Sequence, residues 1–325
     1  MISQNTRGRM FSIDVLRVIS AFYVVGFWHA MNYINGYHGY FNPYTSRLTV
    51  ITLSLFTFSS GFLLGRKQIQ LSTEDVFNFY RKRLVRIYPP FLLALVCFLA
   101  LRAIDFTLFA KSALLLATIW GPAPPTLWYI CMIAVFYLLA PFLIACRERF
   151  IPFFSTAVGI YLLLFASWPV FGVLDTRMLI YFPSFVAGIF FAGRSSLFTG
   201  RFITVMGGLT AIAILLGWGI PTEFVETSAL SMPLALFAAL FILALATRGD
   251  AYLSSRLISE LAYATLFMYL FHRVVYRPAM YLFPSKDPNI QLAFILLVCL
   301  PIVVVFSWLG QRLYDEILKR LGLAS

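Results

Sequence analysis

Apolar runs long enough to cross or enter a membrane recur along this chain, near residues 10–33, 46–65, 87–104, 107–120, 127–146, 150–172, 178–193, 202–219, 229–247, 258–283 and 290–311. A membrane-crossing helix needs about 20 apolar residues. Backbone N–H and C=O groups in lipid must be paired within the protein, which leaves helices or closed barrels. Runs this long are helical, so the expectation is an all-α, polytopic transmembrane helix bundle. Composition agrees: 61% of the 325 residues are hydrophobic and 12% are charged, against about 25% charged in soluble domains. The expected organisation is one integral membrane domain over residues 1–325, with no separate soluble part.

The distribution of charge orients the bundle. With the N-terminus cytoplasmic and 107–120 not crossing, 17 of the 25 Lys and Arg fall in cytoplasmic segments. These include Arg7 and Arg9, the 66–86 cluster, and Arg312, Lys319 and Arg320 at the end. Five fall in outer loops: Arg47, Arg102, Lys111, Arg177 and Lys286. If 107–120 crossed, every later loop would flip and the positive-inside bias would be lost. That segment is short, contains Lys111 and ends in GPAPP, as a re-entrant or interfacial piece would. The expectation is about ten spans with both termini cytoplasmic in a cell inner membrane. Net charge +12 is accordingly the positive-inside bias, and no nucleic-acid partner is expected. Cys97, Cys131, Cys146 and Cys299 lie in apolar runs without CxxC spacing, so neither a metal site nor a disulfide is expected.

The first span, IDVLRVISAFYVVGFWHA (13–30), carries Asp14, Arg17 and His29. A charge near mid-membrane costs about 2.5–3.5 kcal/mol. Asp14 and Arg17 stand at i and i+3, where they can pair and lower that cost. Because Asp14 and Arg17 interrupt the apolar stretch after Arg7 and Arg9, the segment reads as a retained signal anchor. After the second span, a basic stretch packs Arg81, Lys82, Arg83 and Arg86 before Tyr88-Pro89-Pro90. Ser72 and Asp75 form a capping-box start for a short interfacial helix, with the next span beginning at the prolines. Such a cluster is either an anionic-lipid anchor or a phosphate site, and charge alone does not decide between them.

Together these segments resemble the membrane acyltransferase-3 family. The resemblance rests on Arg17 and His29 in the first span, and on an SGF turn, Ser60-Gly61-Phe62, ending the second. It rests also on Lys82-Arg83-Leu84-Val85-Arg86-Ile87-Tyr88-Pro89, on LWY…FYLLAP from Leu127 to Pro141, and on YATLFMYLFH (263–272). Two features depart from the family's pattern. Eleven residues separate Arg17 from His29 where ten are usual, and Ile130 to Ala134 lacks the acidic residue that many members carry after the Leu-Trp.

The resemblance implies a membrane O-acyltransferase. It would move an acyl group, most often acetyl, from cytosolic acyl-CoA to a hydroxyl of a sugar or lipid-linked glycan at the outer face, without a metal. Acyl-CoA, the glycan acceptor and membrane lipids are the implied partners. Arg83 and Arg86, helped by Arg81 and Lys82, would hold the CoA phosphates. Arg17 either lines the CoA path or locks the bundle through Asp14. His29, about 18 Å along the helix from Arg17, would be the general base on the acceptor hydroxyl. His272, Asp14, Trp128 and Tyr33 are further substrate-binding candidates. The outer Tyr33, Tyr37, Tyr40 and Tyr44 suit either sugar stacking or an aromatic belt. No fused soluble domain is seen, so the chain is expected to act on its acceptor unaided. A carrier of a lipid-linked sugar or small anion is the alternative, since intramembrane Arg and His also mark transport paths.

The eleven-residue spacing makes a geometric demand. Helical positions eleven apart differ by about 20° in projection, and those twelve apart by about 120°. Arg17 and His29 would therefore face different sides unless a one-residue π-bulge absorbs the insertion. Gly26 is the expected place, with a widening between Tyr23 and His29 that turns His29 inward.

Overall fold

The computed structural model describes residues 10–36, 38–171, 174–250 and 255–323. Arg7, Arg9 and Tyr37 lie outside the described residues. The chain is helical, with no strand among the described residues. Helix α1 (Phe11–Tyr23) continues through a π-helical stretch, Val24–His29, into a 3₁₀ turn, Ala30–Tyr33. There follow α2 (Pro43–Gly65), α3 (Thr73–Ala100), α4 (Phe106–Ala113), α5 (Trp128–Cys146), α6 (Phe150–Phe171) and α7 (Arg177–Phe191). The last part comprises α8 (Gly200–Leu216), α9 (Met232–Arg248), α10 (Arg256–Leu282) and α11 (Pro288–Phe294). A second π-helical stretch, Ile295–Cys299, then leads into α12 (Leu300–Arg320).

Seven helical stretches are long and apolar enough to cross a membrane: those starting at Phe11, Pro43, Thr73, Trp128, Phe150, Ala229 and Pro288. Helices α7 and α8 are apolar but shorter. Helix α10 is 27 residues long and contains Arg256, Glu260, Arg273 and Arg277. The 107–120 segment forms the eight-residue α4, which at about 1.5 Å per residue is far too short to cross. It is tied to α3 and to the segment before α7. The Tyr88 hydroxyl donates to the Ala113 carbonyl at 2.9 Å, and the Asp175 N–H donates to the Thr118 carbonyl at 3.0 Å.

The expected π-bulge is present. The hydrogen-bond ladder widens over Val24–His29, and Gly26 lies against α12, where an added Cβ would stand 2.9 Å from Leu300 Cδ2. Val25, Ala30 and Met31 share an apolar cluster with Ile295, Cys299 and Val303, so the two widened stretches pack into one core.

Three local expectations are corrected. Ser60-Gly61-Phe62 is not a turn but lies inside α2. Its glycine serves packing: a Cβ on Gly61 would meet the Phe185 carbonyl oxygen at 2.2 Å, and one on Gly188 would meet that of Phe58 at 2.2 Å. The backbones of α2 and α7 touch, as small residues allow in membrane helices. The basic stretch is not a separate interfacial helix. Ser72 does cap it by accepting from the Asp75 N–H at 3.2 Å, but α3 then runs unbroken for 28 residues through Pro89 and Pro90. Pro89 has no N–H for the carbonyl of Val85, four residues back. The Tyr314 hydroxyl of α12 donates to that carbonyl instead, which is how the helix passes its prolines. Finally, Arg47 belongs to no loop. It is buried in the first turns of α2 and donates to the carbonyls of Pro43 (2.8 Å), Gly217 (2.6 Å) and Trp218 (3.0 Å). Those bonds fasten α2 to the end of α8.

Candidate active site

A cavity of about 370 Å³ opens between α1, α2, α3, α5, α10 and α12, within the usual size of a ligand pocket. Its basic end is formed by Arg83 and Arg86 of α3 and by Lys67 from the α2–α3 loop. Arg17, Ser60 and Thr265 line the wall, and Tyr129 and Tyr269 close the far end. The cations at the mouth make no ion pair among the described residues. Arg83 holds its guanidinium 5.5 Å from the centre of the Phe79 ring, and its Nε is buried without a hydrogen-bond partner. Partial desolvation at the rim lowers the pKa of the Lys67 ammonium, and the charges of Arg83, Lys82 and Arg86 lower it further. The mouth is thus a concentration of positive charge whose cations form no ion pair among the described residues.

Arg17 both neighbours Asp14 and lines the cavity. It lies 3.9 Å from Asp14 across one helical turn, donates to the Thr265 hydroxyl of α10 at 2.9 Å, and still lines the cavity. Asp14 is buried and does not line it.

Beyond Tyr269 lies the histidine pair. The rings of His29 and His272 stack face to face, with centroids 4.9 Å apart and planes 3° from parallel. The Tyr269 ring sits 6.5 Å from the first and 6.3 Å from the second. His272 is fully buried. Its Nδ1 faces the carbonyls of Tyr269 (2.9 Å) and Met268 (3.2 Å). A ring nitrogen facing carbonyl oxygens must carry the hydrogen, so in the neutral ring Nε2 is the acceptor. That Nε2 and the Nδ1 of His29 are both buried without partners. Sequence spacing alone did not foresee the stack, because it depends on how α1 and α10 rotate against each other.

The remaining candidates fall into two groups. Trp128 carries the Arg177 guanidinium 3.8 Å over its ring and stacks with Tyr181 at 6.2 Å. Arg177 also grips Asp175, with a closest approach of 2.6 Å. Tyr33 packs edge-on against Tyr276 at 5.8 Å. At the basic end, Lys82 lines a smaller neighbouring cavity, while Arg81 is exposed and faces neither cavity. Sequence reasoning missed Lys67, Tyr129 and Tyr269 as lining residues. Lys67 had a signal, since it belongs to the basic cluster already assigned to the cytoplasmic side. The two tyrosines had none beyond their place in the family-like segments. Among the described residues, no group of three or more His, Cys, Asp or Glu side chains is arranged to hold a metal ion.

Compared with protein families, residues 10–310 match the acyltransferase domain of the acyltransferase-3 family. The chain is a membrane acyltransferase of that family. No curated protein and no solved structure matches it.

Proposed function

We propose that the chain is a membrane O-acyltransferase that takes its acyl group, acetyl in the simplest case, from cytosolic acyl-CoA. It delivers that group to a hydroxyl of a sugar or lipid-linked glycan at the outer face of the cytoplasmic membrane. The observation that carries this reading is a cavity with a cluster of cations that also holds Arg17 and Tyr269, with the paired histidines packed behind Tyr269, outside the cavity lining. Arg83, Arg86 and Lys67 answer the phosphates, as guanidinium forks and ammonium groups do. The cavity takes the extended pantetheine arm, with Arg17 along it. His29 then removes the proton of the acceptor hydroxyl through its unpartnered Nδ1. The oxygen attacks the thioester carbonyl, the carbon–sulfur bond breaks, and the departing thiolate takes up the proton that His29 removed, which restores the neutral imidazole. His272, held by the Tyr269 carbonyl, fixes the plane of the His29 ring. Trp128 and Tyr33 offer flat surfaces for a sugar ring.

The direct test is transfer of a labelled acyl group from acyl-CoA to cell-surface glycan by the purified chain in nanodiscs. Labelled glycan is the expected result, and donor that stays intact with every glycan fraction overturns the reading.

The path has a direction only if the basic end is cytoplasmic, so the proposal includes ten spans with both termini inside. In a background without native cysteines, a cysteine at Thr107, exposed on α4, should react with an impermeant reagent applied from outside, and one at the exposed Glu148 should not. The reverse pattern overturns the topology.

A further inference from the structure

Beside the mouth of the main cavity lies a second hollow of about 160 Å³, formed by the α2–α3 loop and the first turns of α3. Lys67, Gln68, Asp75, Asn78, Lys82 and Arg83 line it, and Lys67 and Arg83 line the main cavity as well. We propose that this hollow seats the 3′-phosphoadenosine end of the donor, with Lys67 and Lys82 on the 3′-phosphate. This rests on the acyl-CoA reading above.

The argument is one of shape and charge. Coenzyme A carries two separated anionic groups, a pyrophosphate and a ribose 3′-phosphate, on either side of a bend at the ribose. The pantetheine arm is slender and the nucleotide bulky, so the two ends of the donor call for separate spaces that meet at the phosphates. The two hollows meet at Lys67 and Arg83, which puts the pyrophosphate on Arg83 and Arg86 and leaves Lys67 to the 3′-phosphate. The second hollow then continues the ligand's path, with Lys82 at its edge. Among the described residues none of these cations has a carboxylate partner, and the Arg83 Nε is buried unpaired. The one acid lining the hollow, Asp75, uses its backbone N–H to complete the Ser72 cap. With the amides of Gln68 and Asn78, its carboxylate offers the mix of acceptors and donors that an adenine edge requires. A site for simple inorganic phosphate would have no use for that mix.

The test compares coenzyme A with 3′-dephospho-coenzyme A, binding each to the full chain in zwitterionic nanodiscs. The native chain should prefer coenzyme A by about tenfold or more, as expected for charge-assisted contacts. In Lys67→Met, coenzyme A should weaken to the level of the dephospho form, while the dephospho form changes little. Lys67 is exposed, so the substitution leaves folding intact. Asn78→Leu is the second variant and should weaken both nucleotides relative to 4′-phosphopantetheine. Equal weakening of both coenzymes in Lys67→Met, or no native preference between them, overturns the assignment while leaving the donor reading standing. A preference that Lys67→Met abolishes only in anionic nanodiscs assigns Lys67 to lipid headgroups and also overturns it. Failure of the native chain to bind coenzyme A at all overturns the donor reading itself.

Discussion

At the mouth of the cavity, Lys67 and Arg86 are exposed, and neither forms an ion pair among the described residues. At the far end, His29 and His272 lie stacked among Tyr269, Tyr276 and apolar helix faces, their free ring nitrogens cut off from other partners. Long-range positive charge captures a multiply anionic ligand and is weakened by salt. A buried imidazole with an open nitrogen captures nothing at a distance but accepts a proton from whatever is placed against it. The two ends therefore divide binding from chemistry, and substitutions at each should separate those quantities.

The largest expected effect is at the far end. His29→Ala should lower acyl transfer by about 10²–10⁴-fold, the range supplied by a general base, with donor affinity unchanged. Turnover and donor binding measured on the same purified sample check both halves. A fully active variant breaks the comparison and moves the base to His272.

The mouth should behave in the opposite way. Arg83→Ala with Arg86→Ala should weaken acyl-CoA binding about tenfold or more, and the loss should shrink as salt rises. Direct binding at two ionic strengths measures it. Unchanged affinity returns the cluster to the role of a lipid anchor.

How much of this contrast was legible in the sequence depends on how local each feature is. The π-helical stretch followed from counting eleven residues between Arg17 and His29, because a helix converts spacing directly into angle. The Asp14–Arg17 pair followed for the same reason. The unbroken α3 did not follow, because Pro89-Pro90 reads as a helix break and the group that rescues it, Tyr314, lies 229 residues from the Val85 carbonyl it serves. Nor did the role of Gly61, whose close neighbour Phe185 belongs to another helix. The His29–His272 stack joins two spans recognised separately in the sequence, and only tertiary packing sets the rings parallel.

A smaller effect sharpens the contrast from the loop that joins α8 to α9. Burial pushes the Glu226 carboxyl from 4.5 up to about 7, with Arg177 opposing. Between those values the unfolded chain ionises while the folded chain holds its proton, so stability falls as pH rises toward about 7 and the loss is complete above it. Glu226→Gln removes that liability. Thermal unfolding in detergent should show the variant level with the native chain at pH 4.5 and increasingly more stable toward pH 8. A difference that does not grow with pH would place the carboxyl in contact with water.

The smallest effect concerns what holds the mouth in shape. Arg83 and Arg86 flank Val85, whose carbonyl has lost its helical donor to Pro89 and is served by the Tyr314 hydroxyl. Tyr314→Phe keeps the ring against Phe267, 6.1 Å away, and removes only the donor. The cost should be about 0.5–1.5 kcal/mol, the net worth of one hydrogen bond. Pro89→Ala restores the missing N–H, so in that background Tyr314→Phe should cost less. This coupling, read from unfolding of the four variants, isolates the pair. Because the affected carbonyl lies between the two arginines, the single variant should also loosen acyl-CoA binding slightly while leaving the rate at saturating donor unchanged. Equal costs in both backgrounds would show that α3 crosses its prolines without help from α12, and that the mouth keeps its shape through α3 alone.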